Sequence, residues 1–460
     1  MGSDPISCDA GCQSGGPEVV LDELLATWTP THRGAADARA TQFRRELGLP
    51  TDRPIVMTGH QPTFWHPGIL AKYLAAGAIA ERTGAAPAWC VPDQDVVEPG
   101  RVRVPVRAGE HHSTAGSWAV EEHDLLAWPG DVSTVPAGAR AAGSLTDRAP
   151  NGFEPVAERL RVHASEPNAA RQAWRAHEDL LIGRLGLPEA PTVYATDLNR
   201  TALFVELAAQ MRRDPAGCVR AYNAGVLAFP DAGMRELICD TRHGRIELPL
   251  WRLGRGAPRE PVYSHELGDI DLAAVTPRAL LLTGLLRLAG CDLFLHGTGG
   301  GAYDRVTEHW FKAWLEETLA PAGVVSATVR LNLGVPDVTR ADLARAVWRA
   351  HHARHTPAML GDEAAQREKE ALVGQIRSAQ RNERAALFAR LHDLLAEVRR
   401  GHAPALDAFD QNVLGIGAAL ADRTIADDRT WSWMLHDDAT LLRLCNEIRR
   451  RLLIGVGGCA

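Results

Sequence analysis

The sequence predicts an α/β protein: a parallel-sheet core with inserted connecting segments and a C-terminal helical or coiled-coil part. Three observations carry this. Strand, loop, helix and second strand follow in one short stretch from Pro54 to Val91, the pattern of a βαβ unit and so of a parallel sheet. Four short apolar runs each close on a polar or glycine-marked turn. Residues 361–400 carry apolar residues at heptad-like spacing between charged faces.

The elements follow in order. Residues 1–17 read as a disordered leader. Residues 18–48 have helical patterning and end at Gly48 and Pro50, which are stop signals. Pro54 to Gly59 is a buried strand running into a loop, and Gly68 to Thr83 is a helix. Ala85 to Val91 is the second strand, closing on Pro92-Asp93-Gln94-Asp95. Residues 97–150, rich in Gly, Pro, Val and Ser, read as irregular or hairpin structure, part of an insertion over about 97–190. Residues 153–186 are helical. Thr192 to Thr196 is a third strand, leading through Asp197 and Asn199 into a helix. Residues 276–289 form a largely apolar helix, and Cys291 to Leu295 a fourth strand. A helix from about Tyr303 to Leu319 follows. The heptad positions of 361–400 are Leu372, Ile376, Ala379, Leu387, Leu391, Leu394 and Val398, the signature of a coiled coil or a long helical hairpin. The domain reading is therefore a leader at 1–17, an α/β core at 18–335, a helical connector and coiled coil at 336–402, and C-terminal helices at 403–460.

Composition excludes several classes. The chain has 460 residues, 45% hydrophobic and 23% charged, which is ordinary for a globular protein and long enough for two or three domains at about 150 residues each. A net charge of −7 supplies no global field for nucleic acid. No long apolar run predicts a membrane span, and the N-terminus lacks a signal peptide, so a cytoplasmic chain without nucleic-acid or membrane partners is expected. The eight cysteines contain no C-x-x-C and read as buried small residues or free thiols; Cys8 and Cys12 are a weak metal candidate. Of 50 basic residues only three are lysine, Lys72, Lys312 and Lys369, which draws the eye to Lys72 inside a motif.

In an open parallel sheet, ligands bind beyond the carboxyl ends of the strands. The four polar strand ends therefore define the candidate site. The first is Gly59-His60-Gln61-Pro62. His60 and His66 bracket Phe64-Trp65 and can act as base and hydrogen-bond donor, and Lys72 can pair with an anionic substrate. No third ligand at zinc-type spacing accompanies the two histidines, so no metal is expected. At the second, Asp93 and Asp95 can bind a substrate amine or act as base, or simply close the turn. Asp197 and Asn199 face a similar choice between substrate binding and helix capping. The clearest segment is His296-Gly297-Thr298-Gly299-Gly300-Gly301, continuing to Tyr303. Its glycines let backbone N–H groups approach a phosphate, carboxylate or oxyanion, and the next helix adds its dipole. It is neither a dinucleotide fingerprint nor a Walker loop. His111-His112 and the histidines at 351, 352 and 355 read as surface positions.

The stretch Gly59-His60-Gln61-Pro62, Phe64-Trp65, Gly68-Ile69 and Lys72 resembles the N-terminal motif of the BshC-type cysteine ligases of bacillithiol biosynthesis, a Gly-Gln-Gln, an apolar pair, a Gly-Pro and a lysine-bearing helix. Trp89 to Glu98 is similar to that family's strand ending in an acidic turn. Thr276 to Leu281 and Phe294 to Tyr303 are similar to its later helix and its glycine loop, and residues 361–400 fall where the family carries a coiled coil. The resemblance runs in order over roughly 50–400. It implies a Rossmann-like core, a homodimer through the coiled coil, and a reaction joining the carboxyl group of cysteine to the amine of a sugar conjugate, with ATP or ADP as possible cofactor. Two positions depart from the pattern: His60 replaces the first Gln, and Gly300-Gly301 stand where a Pro-Gly-Glu run would carry an acid. The expected function is thus a ligase-like enzyme forming a C–N bond on a small sugar-type metabolite. His60, Asp93 and Asp95 would be catalytic. Gln61, His66, Lys72, Asp197, Asn199, His296, Gly297, Thr298, Gly299, Gly300, Gly301 and Tyr303 would bind substrate. A nucleotidyl- or glycosyl-transfer enzyme on the same core, or a non-catalytic dimeric scaffold, are the alternatives.

Overall fold

The computed structural model describes residues 16–31, 37–108, 117–128, 131–146 and 149–454. The leader expected at 1–17 falls outside them except for Gly16 and Pro17, as do Cys8, Cys12, His111 and His112.

The described chain divides into two compact units. One holds the residues up to 104, then 122–331 and the chain from 429 on; the other holds 105–121 and 332–428. The block 403–460 is shared between both units.

In the first unit, strand β1 (Glu18–Leu21) leads into the short helix α1 (Glu23–Thr27) and then α2 (Ala38–Glu46). The helical reading of 18–48 is therefore corrected at its start. Val19 and Leu21 alternate with exposed neighbours, and the segment pairs antiparallel with a later strand instead of coiling. Strand β2 (Ile55–Gly59) is buried on both faces, as a central parallel strand must be. Helix α3 (Pro67–Thr83) begins with Pro67 at its first position and stops at Gly84 in the left-handed conformation. Strand β3 (Ala86–Val91) completes the expected βαβ unit in parallel register with β2.

The paired strands β4 (Arg101–Arg107) and β5 (Trp118–Asp124) span the division at 104/105 and 121/122, and the short pair β6 (Leu126–Ala127) and β7 (Ser144–Leu145) follows in the first unit. Helices α4 (Glu154–Val162) and α5 (Ala169–Leu185) precede β8 (Thr192–Tyr194). Helices α6 (Ala202–Arg213) and α7 (Pro215–Ala228) lead to a second sheet of β9 (Cys239–Asp240), β10 (Arg245–Arg252), β11 (Glu260–Tyr263) and β12 (Val275–Pro277). The start of the apolar helix expected at 276–289 is thus strand. Its remainder is α8 (Ala279–Leu285), continuing as a π-helical turn over Leu286–Gly290. Strand β13 (Leu293–His296), helix α9 (Thr298–Leu315) and strand β14 (Ala322–Thr328) finish the core.

The main sheet has the order β1-β14-β13-β2-β3-β8, with β14, β13, β2, β3 and β8 parallel and β1 antiparallel at one edge. This is a Rossmann-like core. From β2 the chain winds to one side through β3 and β8, then crosses to the other side for β13 and β14. The strand order therefore reverses between β2 and β13, and a ligand crevice is expected beyond their carboxyl ends. Asp292, at the head of β13, accepts from the Ile55 amide at 2.8 Å and from Arg44 of α2 at 2.9 Å, fixing the two switch-point strands at their other end.

The second unit contains the helices α10 (Arg340–Ala353), α11 (Glu363–Ser378), α12 (Arg381–Gly401) and α13 (Ala403–Ala426). The heptad stretch is broken at Ala379-Gln380, where Gln380 and Glu383 make a capping box that starts a new helix. Of the two readings, the helical hairpin is the one that forms within the chain: α11 and α12 pack on each other, with Leu372 and Val398 buried. The last helix, α14 (Asp438–Ile454), returns to the first unit.

Candidate functional site

Gly59 ends β2 and His296 ends β13. The register of this parallel pair, Leu295 against Thr58, brings the two strand ends side by side at the switch point. The side chains of the neighbouring turns meet there.

The turn after β2 is held by aromatic packing. Trp65 stacks on Tyr73 at 4.4 Å between ring centroids and lies 4.0 Å from the ring of His177 on α5. His177 bonds to Thr63 O at 3.0 Å through Nδ1 and accepts from Trp433 Nε1 at 2.7 Å through Nε2. Burial pushes this imidazole down to about 3, so it is neutral and serves as a strut. Neither His177 nor Trp433 is adjacent to the motif in sequence, and sequence reading did not find them. His66 caps α3, its Nδ1 accepting from the Gly68 amide at 3.1 Å, so its imidazole is engaged in the fold.

His60 is half-buried. Burial first, and the charge of Lys72 second, push its imidazole well below the usual histidine range. It is neutral at pH 7 and a weak base, which disfavours the expected role of catalytic base. Gly59 has no room for a side chain, because a Cβ would lie 2.2 Å from Cys90 O. The carbonyl of Gly59 accepts from Lys72 Nζ at 2.7 Å. Lys72 is 4% exposed, and burial lowers its ammonium to about 7. Its stem packs toward Gly297, where a Cβ would be 3.9 Å from Lys72 Cδ. The motif lysine thus crosses from one strand end to the other.

After β3, the two carboxylates take different partners. Asp93 is fully buried and accepts from Thr196 N at 3.0 Å and Thr196 Oγ1 at 2.6 Å, tying β3 to the turn after β8. Burial raises it to about 6 against those two hydrogen bonds. Asp95 accepts from Gln61 Nε2 at 3.1 Å and from Arg259 at 2.7 Å. Gln61 therefore lines the same crevice, and Arg259 is a member that sequence reading missed: it lies far along the chain in an unremarkable segment. Asp197 pairs with Arg171 at 2.8 Å and Arg200 at 3.0 Å, while Asn199 bonds to Ala273 O at 2.9 Å. Both are engaged in joining neighbouring segments.

The glycine segment is not a free loop. Gly297 is the N-cap of α9, and Thr298 to Gly301 are its first turn, with no side-chain cap on the leading N–H groups. Thr298 and Gly299 are exposed. Gly301 lies against Val324 of β14, and a Cβ on Gly300 would stand 2.6 Å from His296 Nδ1. Tyr303 sets its ring edge-on to His296 at 5.8 Å, and burial, with Asp304 and Asp95 nearby, raises its phenol to about 12. The carboxylate of Asp95 is thus felt at the glycine turn. The crevice combines an uncapped helix N-terminus, a buried lysine and two imidazoles, a set suited to holding an anion while a proton moves.

Among the described residues, no cluster of three metal-ligating side chains is present and no helix is long and apolar enough to cross a membrane. A cavity of about 500 Å³ opens elsewhere, between α3, the turn after α5 and α14, and no strand-end turn lines it. Its walls are mostly apolar, and the convergence of titratable groups lies at the switch point instead.

No protein-family model matches the chain, and none of the curated proteins matches it.

Proposed function

We propose that the protein is an enzyme forming a carbon–nitrogen bond at the switch-point crevice, joining an amino-acid carboxyl to the amine of a small, sugar-type metabolite. The observation that carries this reading is the placement of Lys72, buried between Gly59 O and Gly297 at the start of an uncapped helix. An acyl group activated as a phosphate or similar ester presents anionic oxygens. The first-turn N–H groups of α9 and the Lys72 ammonium bind such oxygens, and binding draws the lysine toward its charged form. Neutral His60 offers a hydrogen bond without adding positive charge. Asp95, held by Gln61 and Arg259, orients the incoming ammonium or amine.

The sequence resemblance to cysteine-adding ligases supports cysteine as acyl donor and ATP as the activating co-substrate. The first turn of α9 suits the phosphates of ATP or ADP as well as an acyl phosphate. A homodimer through the helical unit belongs to the same proposal, and sedimentation velocity reads it directly.

Incubation of the full chain with cysteine, ATP and an amino-sugar conjugate, followed by mass spectrometry, tests the reaction. Loss of water between the two substrates with release of ADP or AMP is expected. A product carrying an adenylyl or glycosyl group would instead establish the transfer alternative. Absence of any product, together with no thermal stabilisation by ATP or the conjugate, would leave the scaffold reading.

A further inference from the structure

His296 Nε2 lies 3.0 Å from Asp304 Oδ2, and both side chains are 5% exposed. Asp304 sits two turns into α9, directly behind the glycine turn. The same Oδ2 accepts from Arg287, which is fully buried and also bonds Ala320 O at 2.7 Å and Glu308. Arg287 lies in the π-helical turn, an irregularity that recurs at functional sites. Burial alone would raise the Asp304 carboxyl, but His296 and then Arg287 outweigh it and hold the group below its usual range. The carboxylate is therefore ionised and fixed, with its face toward the imidazole.

The other imidazole nitrogen, Nδ1, lies over Gly300 in the first turn of α9, on the space a Cβ would fill. One ring thus spans from a buried carboxylate to the anion-binding turn. In the free protein the Nε2–Oδ2 contact is close without being an aligned hydrogen bond, and such contacts commonly tighten when substrate binds.

We infer that His296 is the proton acceptor of the reaction and that Asp304, locked by Arg287, is its positioning residue. The inference rests on the C–N bond-forming reading above and moves the base from His60 to His296. Asp304 keeps the proton on Nε2 and leaves the Nδ1 lone pair toward the glycine turn. In the step, the amine nitrogen's pair forms the bond to the acyl carbon. The bond from that carbon to the leaving oxygen breaks with its pair passing to the oxygen. The amine proton moves to Nδ1 and then to solvent, and Asp304 stays ionised throughout. The groups facing His296 are Asp304 and Tyr303 from α9, and Arg287 through Asp304; the stem of Lys72 from α3 reaches the neighbouring Gly297.

Nitrogen-15 NMR of the histidine rings in the full chain, with rates of amide formation, tests this. At neutral pH the His296 ring is expected to carry its proton on Nε2. In Asp304→Asn the amide oxygen takes the Oδ2 position shared by Arg287 and His296, so the Nε2 tautomer is kept while the negative charge that stabilises the protonated ring is lost. A fall in kcat of at least about 100-fold with little change in KM follows, and the acidic limb of the pH–rate profile shifts. Gly300→Ala covers a failure of Asp304→Asn to fold: its Cβ displaces the ring while the Asp304–Arg287 pair stays, and the same loss is expected. A wild-type ring protonated on Nδ1 overturns the inference, as does an Asp304→Asn enzyme whose kcat and pH–rate profile match wild type. If wild type makes no amide, the acyl-transfer reading falls and the tautomer alone decides whether Asp304 positions His296.

Discussion

Lys72 Nζ donates to Gly59 O at 2.7 Å, so the motif lysine is tied to the strand end from which its own helix departs. One carbonyl satisfies one of its three donors. Burial makes the charged form costly, and an anion in the crevice would remove that cost. Affinity for anions at this site should accordingly be strongest below about pH 7 and decline above it.

Lys72→Met tests the same group through stability. With its ionisation lowered to about 7 in the folded state and near 10.5 when unfolded, the unfolded chain binds one more proton between these values. Stability from this group therefore rises with pH across that window. The full rise amounts to about 5 kcal/mol at ~1.4 kcal/mol per unit. Thermal melts should show Lys72→Met more stable than wild type at pH 7, with the advantage shrinking toward pH 10. Stabilisation by added inorganic phosphate or ATP should vanish in the variant. A variant less stable at pH 7 that still responds to phosphate would refute the assignment.

Asp93 carries the opposite dependence. Its carboxyl is raised to about 6, above the 3.8 of an unfolded aspartate, so the folded chain holds the extra proton between those values. Its contribution falls as pH rises from about 4 to about 6. Asp93→Asn removes the charge, keeps an oxygen for the Thr196 amide and lets its NH2 donate to the Thr196 hydroxyl, which then accepts. The difference in unfolding free energy between wild type and variant should grow in the variant's favour across that range, by about 3 kcal/mol at ~1.4 kcal/mol per unit, read by urea titration.

Asp292 is the clearest stability position. It receives Arg44 and the Ile55 amide in a site with no solvent exposure of either charged side chain. Asp292→Ala leaves a buried guanidinium without its counter-charge, which costs about 3–5 kcal/mol. Urea titration should show that loss with an unchanged slope.

The strands that sequence revealed were those whose burial is written locally. Ile55-Val56-Met57 and Leu293-Phe294-Leu295 are short apolar runs ended by polar turns, and all six side chains are buried. Strand β14 was not legible: Gly323, Ser326 and the alanines give it little hydrophobic signal, and its place is set by pairing with β13 on one side and β1 on the other. Heptad spacing showed helices at 361–400, while the Gln380–Glu383 cap that divides them is visible only once a break is sought. In the crevice, His60, Gln61, Lys72, Asp95 and His296 came from motifs next to strand ends. Arg259, His177 and the partnership of Asp304 with Arg287 depend on tertiary contacts, which no local spacing encodes.

Arg259 separates positioning from stability. Its guanidinium reaches Asp95 Oδ1 at 2.7 Å and Gln94 O at 2.9 Å, and lies 4.5 Å from the ring of Trp251. The pair is about a quarter exposed on each side, so solvent screens it and its loss costs no more than about 1 kcal/mol. Asp95 without Arg259 keeps only Gln61 and is free to rotate. If Asp95 orients the amine, Arg259→Ala should raise KM for the amine substrate roughly tenfold, about 1.4 kcal/mol, while the melting temperature shifts by a few degrees. Arg259→Lys restores the charge without the planar guanidinium, so it should recover stability more fully than KM. Equal recovery of both would mean that Asp95 serves the fold alone.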